Sequence, residues 1–257
     1  MRKLNRFFLN LISCSLVLIN AGHAQNSMSN SISSGFLNTV KRSHVIAQAG
    51  IYQGTQGKQQ YIHVPSLIGD VFNVSKNRDT NGLLGLGYYL DGQQSIAFKK
   101  SYKMLYGLNL FYLAQMKVSG TITQEDAFTN LSYDYYVSYL PLFLMARSMI
   151  QTNSPKYDVG VDLGIGPDFM FLTKFTEYPI NSGTVPSSPF KDTMSICPAA
   201  TFGLSLKVNN LVYSIPVEIG YRFFYLGKGS FNHTNQVSSS LNTGNTYANA
   251  LIFSIAL

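Results

Sequence analysis

Tryptophan is absent from the 257 residues, and cysteine occurs only at Cys14 and Cys197. Cys14 lies in an N-terminal stretch that reads as a removable leader, so one thiol remains and an intramolecular disulfide is excluded. Charge is scarce: Asp, Glu, Lys and Arg make up 12% of the chain, about half the usual share. Long apolar runs are scarce too. Beyond the leader the nearest candidate for a spanning helix is Val137 to Ile150, which contains Pro141 and Arg147 and falls short of the ~20 residues a crossing helix needs. There is no repeat at solenoid spacing, and the formal charge of +7 includes Arg2, Lys3 and Arg6 of the leader. The basicity is therefore not read as nucleic-acid affinity, and no nucleic-acid partner is expected.

Histidine is equally sparse. Past the leader there are His44, His63 and His233, none beside an aspartate in a recognisable pair. Nucleophilic catalysis needs a base next to its nucleophile, and metal binding needs clustered ligands. Neither spacing is found, so no catalytic residue, metal or cofactor is expected. Gly160, Gly164 and Gly166 lie inside a strand pattern and not in a phosphate-cradling loop.

What the chain does have is apolar and aromatic residues: 46% hydrophobic, with 17 Tyr and 17 Phe. Arg2, Lys3 and Arg6 precede an apolar stretch from Phe7 to Ile19, and Ala21-Gly-His-Ala24 offers a cleavage site. Residues 1–24 read as a secretory signal peptide. The rival lipoprotein signal at Leu11-Ile-Ser-Cys14 would cut the apolar run in half. Residues 25–43, rich in Ser and Asn, read as a flexible periplasmic leader.

From His44 onward eight segments alternate large and small residues at the period of a strand. They cover about 44–53, 82–90, 102–118, 131–146, 157–172, 199–208, 212–226 and 247–257. In the fifth, Tyr157, Val159, Val161, Leu163, Ile165, Phe169 and Phe171 oppose Asp158, Gly160, Asp162, Gly164, Gly166 and Asp168. In the seventh, Tyr213, Ile215, Val217, Ile219, Tyr221, Phe223 and Tyr225 oppose Ser214, Glu218, Gly220 and Arg222. In both, every charge shares the face of the small residues. An arginine facing hydrocarbon at the bilayer midplane costs about 2–4 kcal/mol, so the charged face is read as the interior. By the same logic Met104, Tyr106, Leu108, Leu110 and Tyr112 of the third segment face outward, with Lys103, Gly107, Asn109, Gln115 and Lys117 inward. In the fourth, Tyr133, Tyr135, Val137, Tyr139 and Phe143 are taken as outward.

Long connections (54–81, 119–130, 173–198, 227–246) alternate with short ones. The expected fold is all-β: an eight-stranded antiparallel up-and-down transmembrane β-barrel over 44–257, with long extracellular loops and short periplasmic turns. A lumen charge network of Asp158, Asp162, Asp168, Glu218, Arg222, Lys103, Lys117 and Lys207 is expected, because an unpaired buried charge costs several kcal/mol. Arg222 is the one arginine placed inside, with Glu218, Asp158 and Asp162 as candidate partners. The last strand puts Tyr247, Leu251, Phe253, Ile255 and Leu257 on one face, a C-terminal assembly signal for a barrel-assembly machinery.

Tyr157-Asp-Val-Gly-Val-Asp-Leu-Gly-Ile-Gly166, Glu218-Ile-Gly-Tyr-Arg-Phe223, Tyr139-Leu-Pro-Leu-Phe143 and the terminal strand resemble the OmpA-like/opacity-type eight-stranded outer-membrane β-barrel family. The resemblance covers about 44–257. It departs at Leu257, where the family's assembly signal usually ends in an aromatic. It implies the bacterial outer membrane, with both barrel termini periplasmic, and contact with outer-membrane lipid and lipopolysaccharide. The expected role is non-enzymatic: envelope structure or adhesin-like surface interaction through the outer loops with a host or surface ligand. The alternatives are a narrow pore for small solutes and a lipid-modifying outer-membrane enzyme.

Overall fold

The computed structural model describes residues 43–65, 69–97, 100–212 and 215–257. The expected signal peptide and nearly all of the expected Ser/Asn-rich leader lie outside these residues, as do Tyr213 and Ser214 of the seventh segment.

Among the described residues eight strands close into one antiparallel ring. They are β1 (Ser43–Thr55), β4 (Arg78–Ala97), β5 (Lys100–Gln124), β6 (Phe128–Gln151), β7 (Tyr157–Pro179), β9 (Thr193–Val212), β10 (Ile215–Gly227) and β12 (Thr246–Ala256). Closure is made by β1 on β12, in register from Ile46 opposite Ala256 to Thr55 opposite Tyr247. Leu257 N–H then donates to the Val45 carbonyl at 2.8 Å. The long connections lie at one end, called here the outer end. Two further strands there, β2 (Gln60–Ile62) and β3 (Asp70–Lys76), extend the sheet, with β3 paired on residues 119–124 of β5. A two-residue ladder joins β8 (Phe190–Lys191) to β11 (Asn232–His233).

The strands at the middle of the chain outrun the bilayer. A tilted strand crosses in about 9–11 residues, whereas β5, β6 and β7 have 25, 24 and 23. Residues 119–124 and 128–130, expected as loop, are therefore strand, and the β5–β6 connection shrinks to Glu125–Ala127. Glu125 and Asp126 both have positive φ (51° and 56°), and Ala127 N–H donates to the Gln124 carbonyl at 3.0 Å. This is the handed two-residue turn that matches strand twist. The Ser, Thr and Asn content that reads as loop is the water-facing side of strands standing clear of the membrane.

Outward residues form an apolar belt. Ile51, Leu84, Leu108, Leu144, Leu163, Ile165, Leu251 and Phe253 all have more than half of their surface exposed except Leu108, which has 50%. Tyr88, Tyr106 and Tyr157 lie toward the inner end of the belt, and Phe223, Tyr225 and Tyr247 cluster toward the outer, with centroids 5.6–6.0 Å apart. Aromatic rings at both interfaces suit their mixed apolar and polar character. In β7, β10 and β12 the expected faces are those observed among the described residues.

Two facings differ from expectation. In β6, Tyr133, Tyr135, Val137, Tyr139 and Phe143 point into the barrel and are at most 2% exposed. The lumen is wide enough to take large rings, because small residues oppose them: a side chain at Gly85 would lie 2.7 Å from the Phe111 ring. In β5 the register slips between Leu113/Tyr139 and Met116/Val137, one extra residue on β5. Such a bulge reverses parity beyond it. Met116 and Val118 therefore turn inward, and Gln115 and Lys117 turn outward.

The β6 assignment has a direct test. Phe143→Ala is expected to lower the unfolding free energy by about 3–5 kcal/mol, as for other buried phenylalanines. Leu144→Ala, on the lipid side, should cost far less, while Leu144→Arg and Ile219→Arg should each cost about 2–4 kcal/mol. Urea titration of vesicle-inserted protein, read by gel mobility without boiling, measures all four. The opposite ranking of the two alanine variants would return Phe143 to the lipid face.

Candidate functional site

Charge inside the ring is concentrated in one buried constellation. Arg147 on β6 lies between Asp162 on β7 and Glu218 on β10. Its Nε donates to Asp162 Oδ1 at 2.6 Å and its Nη2 to Asp162 Oδ2 at 3.0 Å. Its Nη1 and Nη2 donate to Glu218 Oε2 and Oε1 at 3.2 and 2.6 Å. Arg222 on β10 donates through Nη2 to the same Asp162 Oδ2. Arg147, Asp162, Glu218 and Arg222 are all buried. Two guanidinium groups thus balance two carboxylates, with the planar fork of Arg147 satisfied on both sides. Gly203 makes room: a Cβ there would lie 3.3 Å from both Arg222 Nη2 and Asp162 Cβ.

Aromatic rings cover the constellation. Arg222 Cζ lies 5.2 Å from the Phe111 centroid and Arg147 Cζ 5.3 Å from that of Tyr89. Both geometries are favourable for a cation over a ring face. Phe111 packs on Phe224 at 5.2 Å and Phe143 on Phe224 at 6.0 Å. Polar side chains near this layer pair with one another: Asn109 Nδ2 donates to Gln48 Oε1 at 2.7 Å and to Tyr89 Oη at 3.1 Å.

Toward the inner end a cavity of about 190 Å³ opens beneath the ion pairs, lined by His44, Lys103, Asp158, Lys207 and Glu218 among others. Asp91 at its edge accepts from Lys103 Nζ and contacts His44 Nε2, both at 2.7 Å. His44 therefore does stand against an aspartate. The two are 47 residues apart in sequence and meet through the pairing of β1 with β4. Asp91 is shared with a lysine, an ion-pair arrangement.

Of the residues expected in a lumen network, Asp162, Glu218 and Arg222 meet, joined by Arg147, which sequence reasoning left out. The expected contact between Glu218 and Arg222 is replaced by Arg147. Four residues along a strand span about 13 Å, so i and i+4 share a face without touching. Asp158 faces Lys207 in register and accepts from Asn209 Nδ2 at 3.2 Å. Lys103 belongs to the Asp91 cluster. Asp168 is fully buried elsewhere in the lumen: one oxygen accepts from Leu140 N–H at 3.1 Å, and the other has no partner among the described residues. Lys117, expected inside, is on the outer face beyond the β5 bulge. It pairs there with Asp134 at 2.7 Å and lies 5.7 Å from the Tyr136 centroid. Tyr247, Leu251, Phe253, Ile255 and Leu257 share the outward face of β12 and its end. Among the described residues no group of three His, Cys, Asp or Glu is placed to hold a metal.

The outer half of the lumen is filled by rings continuing up into the connections. Phe72 of β3 packs on Tyr133 at 5.3 Å, Phe175 on Phe190 at 4.9 Å, and Phe231 on Tyr135 at 5.2 Å. Hydrogen bonds tie the outer connections together. Gly57 N–H donates to Thr243 O at 2.7 Å, Thr234 N–H to Pro189 O at 2.9 Å, and Glu125 N–H to Gly69 O at 2.9 Å.

No protein-family model matches the chain, and no curated protein matches it. Among solved structures it is similar to Neisserial surface protein A, at 10% identity over 83% of this chain and 96% of that one, TM-score 0.36. It is also similar to the outer membrane protein OprG from Pseudomonas aeruginosa, at 12% over 84% and 96%, TM-score 0.43. A third likeness is to the outer membrane protease OmpT from Escherichia coli, at 5% over 83% and 97%, TM-score 0.42. At these values they carry no argument about activity.

The ion-pair assignment predicts unequal couplings. Arg147→Met alone should destabilise by about 3–5 kcal/mol, because it strands two buried carboxylates. Arg147→Met with Glu218→Met should recover part of that loss, a positive coupling in a double-mutant cycle. The Arg222/Asp162 cycle should couple in the same way, and Arg222/Glu218 should couple less than either. Additive losses for Arg147 and Glu218 would rule the bridge out. The closed eight-strand ring, its apolar belt with two aromatic rims and its packed lumen make this chain an eight-stranded antiparallel transmembrane-type β-barrel.

Proposed function

We propose that this chain is a non-enzymatic protein of the bacterial outer membrane whose work is surface contact through its outer end. The observation that supports this best is the continuity of packing from lumen to connections. The inward rings of β6 and β7 at the outer half, Tyr133, Tyr135 and Phe175, pack together with Phe190 and Phe231, both at most 4% exposed, so the outer segments sit on a solid column. A rigid platform costs little ordering entropy on binding. The belt would face lipid, with lipopolysaccharide at the outer rim, and the outward face of β12 would serve the barrel-assembly machinery.

A narrow pore is the second reading, favoured by the inner cavity of about 190 Å³. The ion-pair layer and the aromatic column both stand across that path. Planar-bilayer recording separates the two. Wild-type protein should give no steady single-channel current, and steady unit currents at neutral pH would establish the pore. Surface contact is tested on intact bacteria expressing the barrel, scored for adherence to coated surfaces and to epithelial cells. Adherence equal to that of cells without the protein would overturn the surface-contact reading.

A further inference from the structure

The outer end carries a cleft of about 480 Å³. This lies in the range of built ligand sites, which combine an apolar lining with a few polar groups. Four separate parts of the chain meet there: Val64 with β3, the β5–β6 hairpin, the end of β7 with the β7–β9 connection, and the β10–β12 connection. Its walls include Phe72, Leu131 and Val237, all buried at their other sides. At its rim stand Phe128 and Val185, which are 62% and 83% exposed. Large apolar side chains held out in water beside a formed cleft are suited to covering a partner.

The charged groups lining it are all of one sign: Asp70, Glu125 and Glu177. Glu177 is 5% exposed and held in place, its Oε2 accepting from Ser187 N–H at 2.9 Å and Ser188 N–H at 3.0 Å. Burial pushes the Asp70 carboxyl above its ordinary range. A backbone N–H of Glu125 opposes the shift, and the charges of Glu177 and Glu125 add to it. Three carboxylates lining one cleft beside an apolar wall are complementary to a cation on an apolar stem.

We infer that this cleft binds a basic polypeptide segment, an arginine or lysine side chain entering between Asp70, Glu125 and Glu177 while its apolar neighbours cover Phe128 and Val185. The inference rests on the surface-contact reading above and names the chemistry of the partner. Arginine's long apolar stem and fixed fork of donors fit a site that is greasy at its walls and anionic at its groups.

The test uses the full chain folded in detergent micelles, with its heat-modifiable gel mobility checked. The probe is a dansylated pentapeptide alternating arginine with leucine and phenylalanine, and its counterpart carries glutamate for arginine. The basic peptide should bind and the acidic one should not. Asp70→Asn combined with Glu125→Gln should weaken binding at least tenfold. Asp192→Asn, which keeps the oxygen that accepts from Lys174 N–H, should leave it unchanged. Should the double variant fail to fold, Phe128→Ser at the exposed rim gives a second reading, expected to weaken binding several-fold. Equal affinity for both peptides, or unchanged affinity in whichever of these variants folds, overturns the inference. Displacement by spermidine at equal concentration also overturns it, because the cleft would then serve small free cations. Cells that adhere while the purified barrel ignores the basic peptide would sink this assignment and leave surface contact standing. Peptide binding without adherence would do the reverse.

Discussion

Hydrocarbon accepts and donates no hydrogen bonds, so a sheet inside it can have no open edge. The pairing of β1 with β12 meets that constraint, and the remaining architecture follows from it. Once the ring closes at eight strands, its radius is set and its interior is about as wide as the side chains that point into it. The lumen must then be filled by packing or by water. This chain fills it with aromatic rings for most of its length and with one neutral set of ion pairs toward the inner end.

Those two fillings depend on each other. Arg147 and Arg222 are far from bulk water, and a guanidinium there is tolerable because carboxylates and ring faces surround it. The rings, in turn, need small neighbours, which is why Gly85 and Gly87 of β4 and Gly120 of β5 lie against the rings of Phe111, Tyr89 and Tyr133. Large residues on some strands and glycine on others is a single packing solution distributed around the ring. A reading that treats each strand alone sees only half of it.

That division explains what was legible in the sequence. Strands with charge, glycine or other small residues on one face and branched or aromatic residues on the other, β7, β9, β10 and β12, declare their inside and outside. β6 does not, since over residues 139–146 both faces are apolar. Its discriminating residue is Arg147, one position beyond where the segment was ended. Arg147 shares parity with Tyr139 and Phe143 and so marks their face as the interior. The bulge in β5 is hidden for another reason: an inserted residue changes parity without changing composition, and only the register with β6 exposes it. The Arg147 bridge to Asp162 and Glu218 needs three strands in correct register, which periodicity along one strand does not supply.

Strand length carries the remaining consequence. Residues beyond the roughly ten needed to cross a bilayer are freed from the demand that the outward face be apolar, and the outer ends of β5, β6 and β7 use that freedom. Their outward faces take Lys117, Asp134 and Thr173, while their inward faces stay apolar, with Tyr133, Tyr135 and Phe175 continuing the column. The column therefore supports structure well above the membrane, including the β2–β3 hairpin laid against β5. A cleft built on such a support keeps its shape without a partner present. Its carboxylates, on Asp70, Glu125 and Glu177, line one cleft before any ligand arrives. A cation that entered would meet carboxylates already placed by that support, so the packing inside the lumen and the chemistry at the surface are two ends of one arrangement.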